Sequence, residues 1–135
     1  MKIHVLIIDD DEDELMFIVK AFEYLDFPFK CTWAKNGEQG LRQLAYITPD
    51  LIFIDYNMPG MNGLQCLEAI KKMASCKFIP VVLHSSLMDQ LIRLKGLDLG
   101  ATTCIRKPDS INELINFLSM FLHEHAIIKH DNSEK

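Results

Sequence analysis

No stretch of this sequence approaches the ~18 consecutive apolar residues of a membrane span, so no membrane partner is expected. Basic clusters are also missing, and 14 Lys and Arg stand against 19 Asp and Glu for a formal net charge of −5. That balance argues against a nucleic-acid face, because binding the phosphate backbone takes clustered cations. The opening MKIHVLIID has too short an apolar stretch for a signal peptide, and acids follow at once. Cys31, Cys66, Cys76 and Cys104 show no CxxC spacing, so neither a zinc site nor a disulfide framework is expected. They read as thiols in a reducing cytosol, and the expected location is cytoplasmic. Internal repeats and low-complexity linkers are absent. The 135 residues therefore amount to one domain, large enough to bury a core. Its 49% apolar and 24% charged residues suit an ordinary globular chain.

What is present alternates. Short apolar runs at 3–8, 51–54, 79–83 and 102–105, with a weaker one at 29–34, read as strands. Their near-continuous character suits a sheet covered on both faces. Between them, Leu15, Ile18, Val19, Phe22 and Leu25 follow helical spacing, as do Ile111, Leu114, Ile115, Leu118 and Leu122. Segments 37–47, 63–74 and 87–98 are shorter helical patterns. Asp11 with Glu14, and Ser110 with Glu113, have the spacing of capping boxes at helix starts. Strand and helix alternating five times predict an α/β fold, a doubly wound five-stranded parallel sheet with helices on both faces. The domain is expected over 1–124, with a polar tail at 125–135, and the residues from His123 onward, polar apart from Ala126–Ile128, are expected to fray. His123, Glu124 and His125, with His130 beyond, do not share a helical face, so no metal is expected there.

In such folds ligands bind outside the carboxyl ends of the strands. Asp9 and Asp10 follow the first apolar run, Asp55 the third, Ser85 and Ser86 the fourth, and Lys107 with Pro108 the fifth. One edge of the sheet thus gathers three carboxylates, a hydroxyl and an ammonium. Two carboxylates ~4 Å apart repel by about 4 kcal/mol at a moderate effective dielectric. A cation between them removes the conflict, and an oxygen-only donor set suits Mg²⁺. A carboxylate can then act as nucleophile and form an acyl phosphate, with metal, ammonium and hydroxyl neutralising the phosphoryl oxygens. Three aspartates, a divalent cation and Lys107 balance to zero, leaving a neutral pocket for an incoming anion.

At this point the residues resemble a known family. "IIDD" after the first strand, "FIDYNMPGMNG" around Asp55, "PVVLHSS" and "GATTCIRKP" are similar to the receiver domain of two-component response regulators, over roughly residues 3–122. The resemblance implies a flavodoxin-like strand order 2-1-3-4-5 and a phosphoacceptor signalling protein rather than an enzyme. Asp55 would take phosphate from a histidine kinase or histidine phosphotransfer protein. Asp10 and Asp55 would ligate Mg²⁺ directly, Asp9 through water, and Asn57 through its backbone carbonyl. Ser85 would contact the phosphoryl group and Lys107 would pair with it. A cis Lys107–Pro108 peptide is also implied. Output would pass from a stand-alone domain to a downstream protein, by contact or by a phosphorelay.

The sequence departs from the family at several places. Cys104 stands where an aromatic is usual, His84 where an aliphatic is usual, and Arg106 lies beside the lysine. Sulfur cannot supply an aromatic ring's steric switch, so a different output movement is expected. Leu87 occupies the place where the family tunes dephosphorylation. Two other readings use the same residues. A degenerate receiver would act as an interaction module without phosphorylation. A haloacid-dehalogenase-like phosphohydrolase would use Asp9 and Asp11 as nucleophile and acid, but the chain lacks room for a substrate-covering cap. The run "DDDEDE" divides accordingly: Asp9 and Asp10 to the pocket, Asp11 and Glu14 to the helix cap, Glu12 and Asp13 to its first turn.

Overall fold

The computed structural model describes residues 2–128. Strands and helices alternate in the order β1 (Ile3–Ile8), α1 (Glu12–Tyr24), β2 (Phe29–Ala34), α2 (Gly37–Gln43), β3 (Leu51–Asp55) and α3 (Gly63–Lys72). A 3₁₀ turn (Ala74–Cys76) leads to β4 (Val81–Ser85), α4 (Gln90–Asp98), β5 (Thr103–Arg106) and α5 (Ile111–Glu124). The five strands form one parallel sheet in the order β2-β1-β3-β4-β5. This is the doubly wound, flavodoxin-like arrangement expected. Among the described residues no helix is long and apolar enough to cross a membrane.

Strand alternation sorts the side chains into two cores. Leu6, Ile8, Ile52, Ile54, Val81 and Leu83 pack with Cys66, Leu67 and Ile70 of α3. Val5, Ile7, Leu51, Phe53 and Val82 pack instead with Ile18 and Phe22 of α1 and Leu114 and Leu118 of α5. Each such side chain contributes ~1.5–3 kcal/mol on burial. A slip of one residue would exchange the two faces, so the register is strongly specified.

Element ends differ from the sequence reading for local reasons. β4 begins two residues later than expected. Ile79 closes the preceding turn by donating to the Cys76 carbonyl, and Pro80 has no N–H to pair. α4 begins at Gln90 because Asp89 caps it, Oδ1 accepting from the Ile92 N–H at 2.8 Å. α2 stops at Gln43 and continues only as turns through Ile47.

The expected capping boxes are half-formed. Asp11 Oδ1 accepts from the Asp13 N–H at 2.9 Å, and Glu14 turns elsewhere. Ser110 Oγ accepts from the Glu113 N–H at 3.1 Å, but Glu113 returns to Asp109 rather than to Ser110. A complete box lies at α3, where Asn62 and Gln65 exchange two hydrogen bonds of 2.9 Å.

The described part of the tail folds back on α5 in place of the fraying expected from His123. Ala126 takes φ +57°, and the Ile127 and Ile128 N–H groups donate back to the Leu122 carbonyl at 2.9 and 3.1 Å. Both isoleucines pack against the α1/α5 core. Residues 129–135, the remainder of the expected tail, and His130 with them, lie outside the described residues.

All peptide bonds among the described residues are trans, so the implied cis Lys107–Pro108 bond is not found. An X–Pro bond favours trans by ~0.5–1 kcal/mol. Lys107 reaches its partners from the trans form.

Candidate functional site

The carboxyl ends of β1, β3, β4 and β5 deliver the site. Asp9 leaves β1 fully buried, its backbone N–H held by the Ala34 carbonyl of β2 at 3.0 Å. Its Oδ1 accepts from the Asp11 N–H at 3.0 Å, which fixes the carboxylate plane. Asp55 ends β3 and is 4% exposed. The α3 N-terminus is drawn against it at Gly63. A Cβ there would stand 2.7 Å from the Asp55 carbonyl oxygen, so no larger residue fits.

Asp9, Asp10 and Asp55 each bring a carboxylate oxygen into one group in which the atoms lie within 4.8 Å of one another. Asp10 is the exposed member. Three hard oxygen donors at this spacing fit Mg²⁺, which takes one or two carboxylates and keeps several waters. Asn57 donates its backbone N–H to Asp55 Oδ1 and its Nδ2 to Ser85 Oγ, both at 3.3 Å. Ser85 Oγ also accepts from the Leu87 N–H at 3.3 Å, leaving its own proton free to donate.

Lys107 closes the group from β5, its N–H bonded to the Ser85 carbonyl at 2.9 Å. Its Nζ lies 3.4 Å from Asp55 Oδ1, 3.5 Å from Asp9 Oδ2 and 3.7 Å from Glu14 Oε1. One ammonium thus serves three carboxylates. Burial works against its charge, but Asp9, Asp55 and Glu14 outweigh that and hold its pKa above the ordinary lysine value. Burial pushes the Asp9 carboxyl up to about 6, with Asp55 adding to the rise and the Asp11 N–H and Lys107 opposing it. Burial likewise raises Asp55 and Glu14. The bare pocket therefore favours protons, or a cation that replaces them.

Of the strand-end residues singled out from the sequence, Asp9, Asp10, Asp55, Ser85 and Lys107 lie in this one place, and Ser86 is exposed. Three further residues escaped the sequence reading. Glu14 was assigned to the helix cap, but α1 turns its side chain toward Lys107. His84, buried on β4, stands 3.8 Å from Asp9 Oδ2. Burial, with Lys107 nearby, lowers its pKa to about 3, so the contact is that of a neutral ring and not an ion pair. Trp33 on β2 donates its Nε1–H to the Asp9 carbonyl at 2.8 Å. Strand register was the available signal for His84, because it pairs with Asp55 and shares its face.

Cys104 is buried between β5 and α4. Its Sγ lies 3.6 Å from the Arg93 carbonyl, and the Arg93 guanidinium donates to the Cys104 carbonyl. α4 is therefore tied to β5 through backbone and sulfur.

A family model described as the response regulator receiver domain matches residues 5–119. The chain is 29% identical over 118 residues to the phosphate regulon transcriptional regulatory protein PhoB of Pseudomonas aeruginosa, covering 87% of this chain and 51% of that one. It is 29% identical over 113 residues to a probable chemotaxis protein CheY of Rhizobium etli, covering 84% and 87% respectively. The chain spans about half the length, or less, of the first curated relatives it matches. In structure it is similar to the Vibrio cholerae chemotaxis protein CheY4, with a TM-score of 0.80 at 23% identity over 89% of this chain and 98% of that one.

Proposed function

The chain belongs to the response regulator receiver family, and from that membership we propose that it is a Mg²⁺-dependent phosphoacceptor that carries phosphate on Asp55. The donor is a histidine kinase or a histidine phosphotransfer protein in the cytoplasm. The phosphoryl group leaves the donor's imidazole nitrogen as an Asp55 carboxylate oxygen bonds to phosphorus. One N–P bond breaks, one O–P bond forms, and an acyl phosphate results. Output follows by contact with a downstream protein or by onward transfer in a relay.

The observation that carries this reading is the convergence on Asp55. Its Oδ1 has Lys107 Nζ at 3.4 Å, and its carboxylate groups with those of Asp9 and Asp10. Asp9, Asp10 and Asp55, with the Asn57 carbonyl, would hold Mg²⁺, which supplies charge neutralisation at the phosphoryl oxygens. Lys107 pairs with one of those oxygens. The Ser85 hydroxyl, held from behind by Asn57 and the Leu87 N–H, donates to another. A phosphohydrolase reading has less support. It would need Asp11 as an acid, but Asp11 is exposed and engaged as the α1 cap.

The test is incubation with acetyl phosphate and Mg²⁺, followed by intact mass. The wild-type chain gains one phosphoryl group, and the Asp55→Asn chain gains none. An equal gain in both chains, or none in either, rejects the assignment.

A further inference from the structure

His84 is a member of this pocket that the proposed chemistry does not use. It lies 2% exposed on β4, in register with Asp55, so the two side chains point to the same face of the sheet. Phe53 meets its ring edge-on, with centroids 5.6 Å apart and planes at 90°. Its Nε2 is buried with no hydrogen-bond partner, and Asp9 Oδ2 stands 3.8 Å away. An imidazole with its N–H on Nε2, the nitrogen that faces the Asp9 carboxylate, places there a donor without a partner. A buried donor left unmet is unfavourable, and an aliphatic side chain would fill the place without that penalty.

The second observation concerns Lys107. Its single ammonium is shared among Asp9, Asp55 and Glu14. In the phosphorylated state proposed above, on which this inference rests, Lys107 turns to the phosphoryl group. Asp9, fully buried, then keeps the Asp11 N–H on Oδ1 and loses the Lys107 contact on Oδ2. We propose that His84 is a positioning residue for Asp9, its Nε2–H taking over Asp9 Oδ2 as Lys107 moves to the phosphoryl group. A closure of about 1 Å brings the pair to ordinary hydrogen-bond length. The orphaned donor of the resting state is thus the partner needed in the modified one. His84 holds the Asp9 carboxylate turned toward the metal while the lysine is occupied elsewhere.

Three substitutions in the full chain separate this role from plain packing. His84→Leu and His84→Met remove the donor, whereas His84→Gln keeps one. Mg²⁺ affinity is measured by calorimetry with and without beryllofluoride, which mimics the aspartyl phosphate, and thermal unfolding is followed in chelator. The donorless variants unfold at higher temperature without metal, because the unmet N–H is gone. With beryllofluoride they bind Mg²⁺ about tenfold or more weakly than wild type, with a smaller loss when beryllofluoride is absent. His84→Gln recovers most of the affinity. Wild-type affinity in both donorless variants with beryllofluoride overturns the proposal and leaves His84 a core residue. A wild-type chain that forms no Asp55-dependent beryllofluoride complex overturns the phosphoacceptor reading itself, and the inference falls with it.

Discussion

Gly96 of α4 and Cys104 of β5 are packed so closely that a Cβ on the glycine would stand 2.6 Å from the cysteine Sγ. Leu83 Cδ2 would be 2.9 Å away on the other side. With Arg93 bonded to the Cys104 carbonyl, this contact sets how near α4 lies to the sheet. Gly96→Ala is expected to destabilise the protein by ~1–3 kcal/mol through overpacking. Cys104→Ala should relieve much of that cost. A double-mutant cycle by urea unfolding checks it, and strict additivity would argue against the contact.

Metal-free stability should rise as the solution is acidified from pH 7 towards 4. Asp9 titrates at about 6 in the folded protein, against ~3.9 in the unfolded chain. Between those values the folded state holds a proton that the unfolded state has released, so unfolding becomes less favourable as pH falls. The gain is on the order of 2 kcal/mol at most. Thermal unfolding in chelator at pH 7 and pH 5 measures it, with Asp9→Asn as the control in which this part of the gain disappears. Saturating Mg²⁺ should abolish it in the wild type.

The acidic run after β1 should divide sharply in its response to neutralisation. Asp10 contributes an oxygen to the carboxylate group, whereas Asp13 lies exposed in the first turn of α1. Asp10→Asn should weaken Mg²⁺ binding by an order of magnitude or more and suppress Asp55 phosphorylation. Asp13→Asn should leave both within error and alter stability by about 0.5 kcal/mol or less. Calorimetry and mass analysis of the two variants side by side give the comparison.

Asn62→Ala should cost about 1 kcal/mol by opening the capping box at the α3 N-terminus. Because Gly63 follows and touches the Asp55 backbone, the loss should extend to local order at the phosphoacceptor. Hydrogen exchange of the Gly63 N–H, which donates to the Tyr56 carbonyl at 3.0 Å, reports that effect.

Much of the pocket was legible because parallel strands end on one edge, and the residue after each apolar run announces itself. Asp9, Asp55, Ser85 and Lys107 were all found that way. Glu14 was not, because three residues after Asp11 is both a capping position and a place from which a helix can reach a neighbouring strand. The choice between them depends on where Lys107 stands, and Lys107 lies more than ninety residues away. His84 read as one polar interruption in an apolar strand, and only the pairing with Asp55 gives it a neighbour. The capping box at Asn62 went unnoticed because amides replace the more familiar Ser and Glu. At the tail, His123–His125 looked like the onset of fraying. Ile127 and Ile128 lie close to α5 in sequence, yet they find the core only because Ala126 reverses the chain.

The chain has a single tryptophan, and its indole is bonded to the Asp9 carbonyl. The ring is tied to the backbone of a pocket residue and supplies no carboxylate of its own. Its emission is therefore a native optical gauge of any shift in the first strand's end, including one that a cation on the Asp9 carboxylate brings about. Stopped-flow mixing can follow that shift in unlabelled protein, and replacing Trp33 by phenylalanine darkens the signal while sparing every carboxylate.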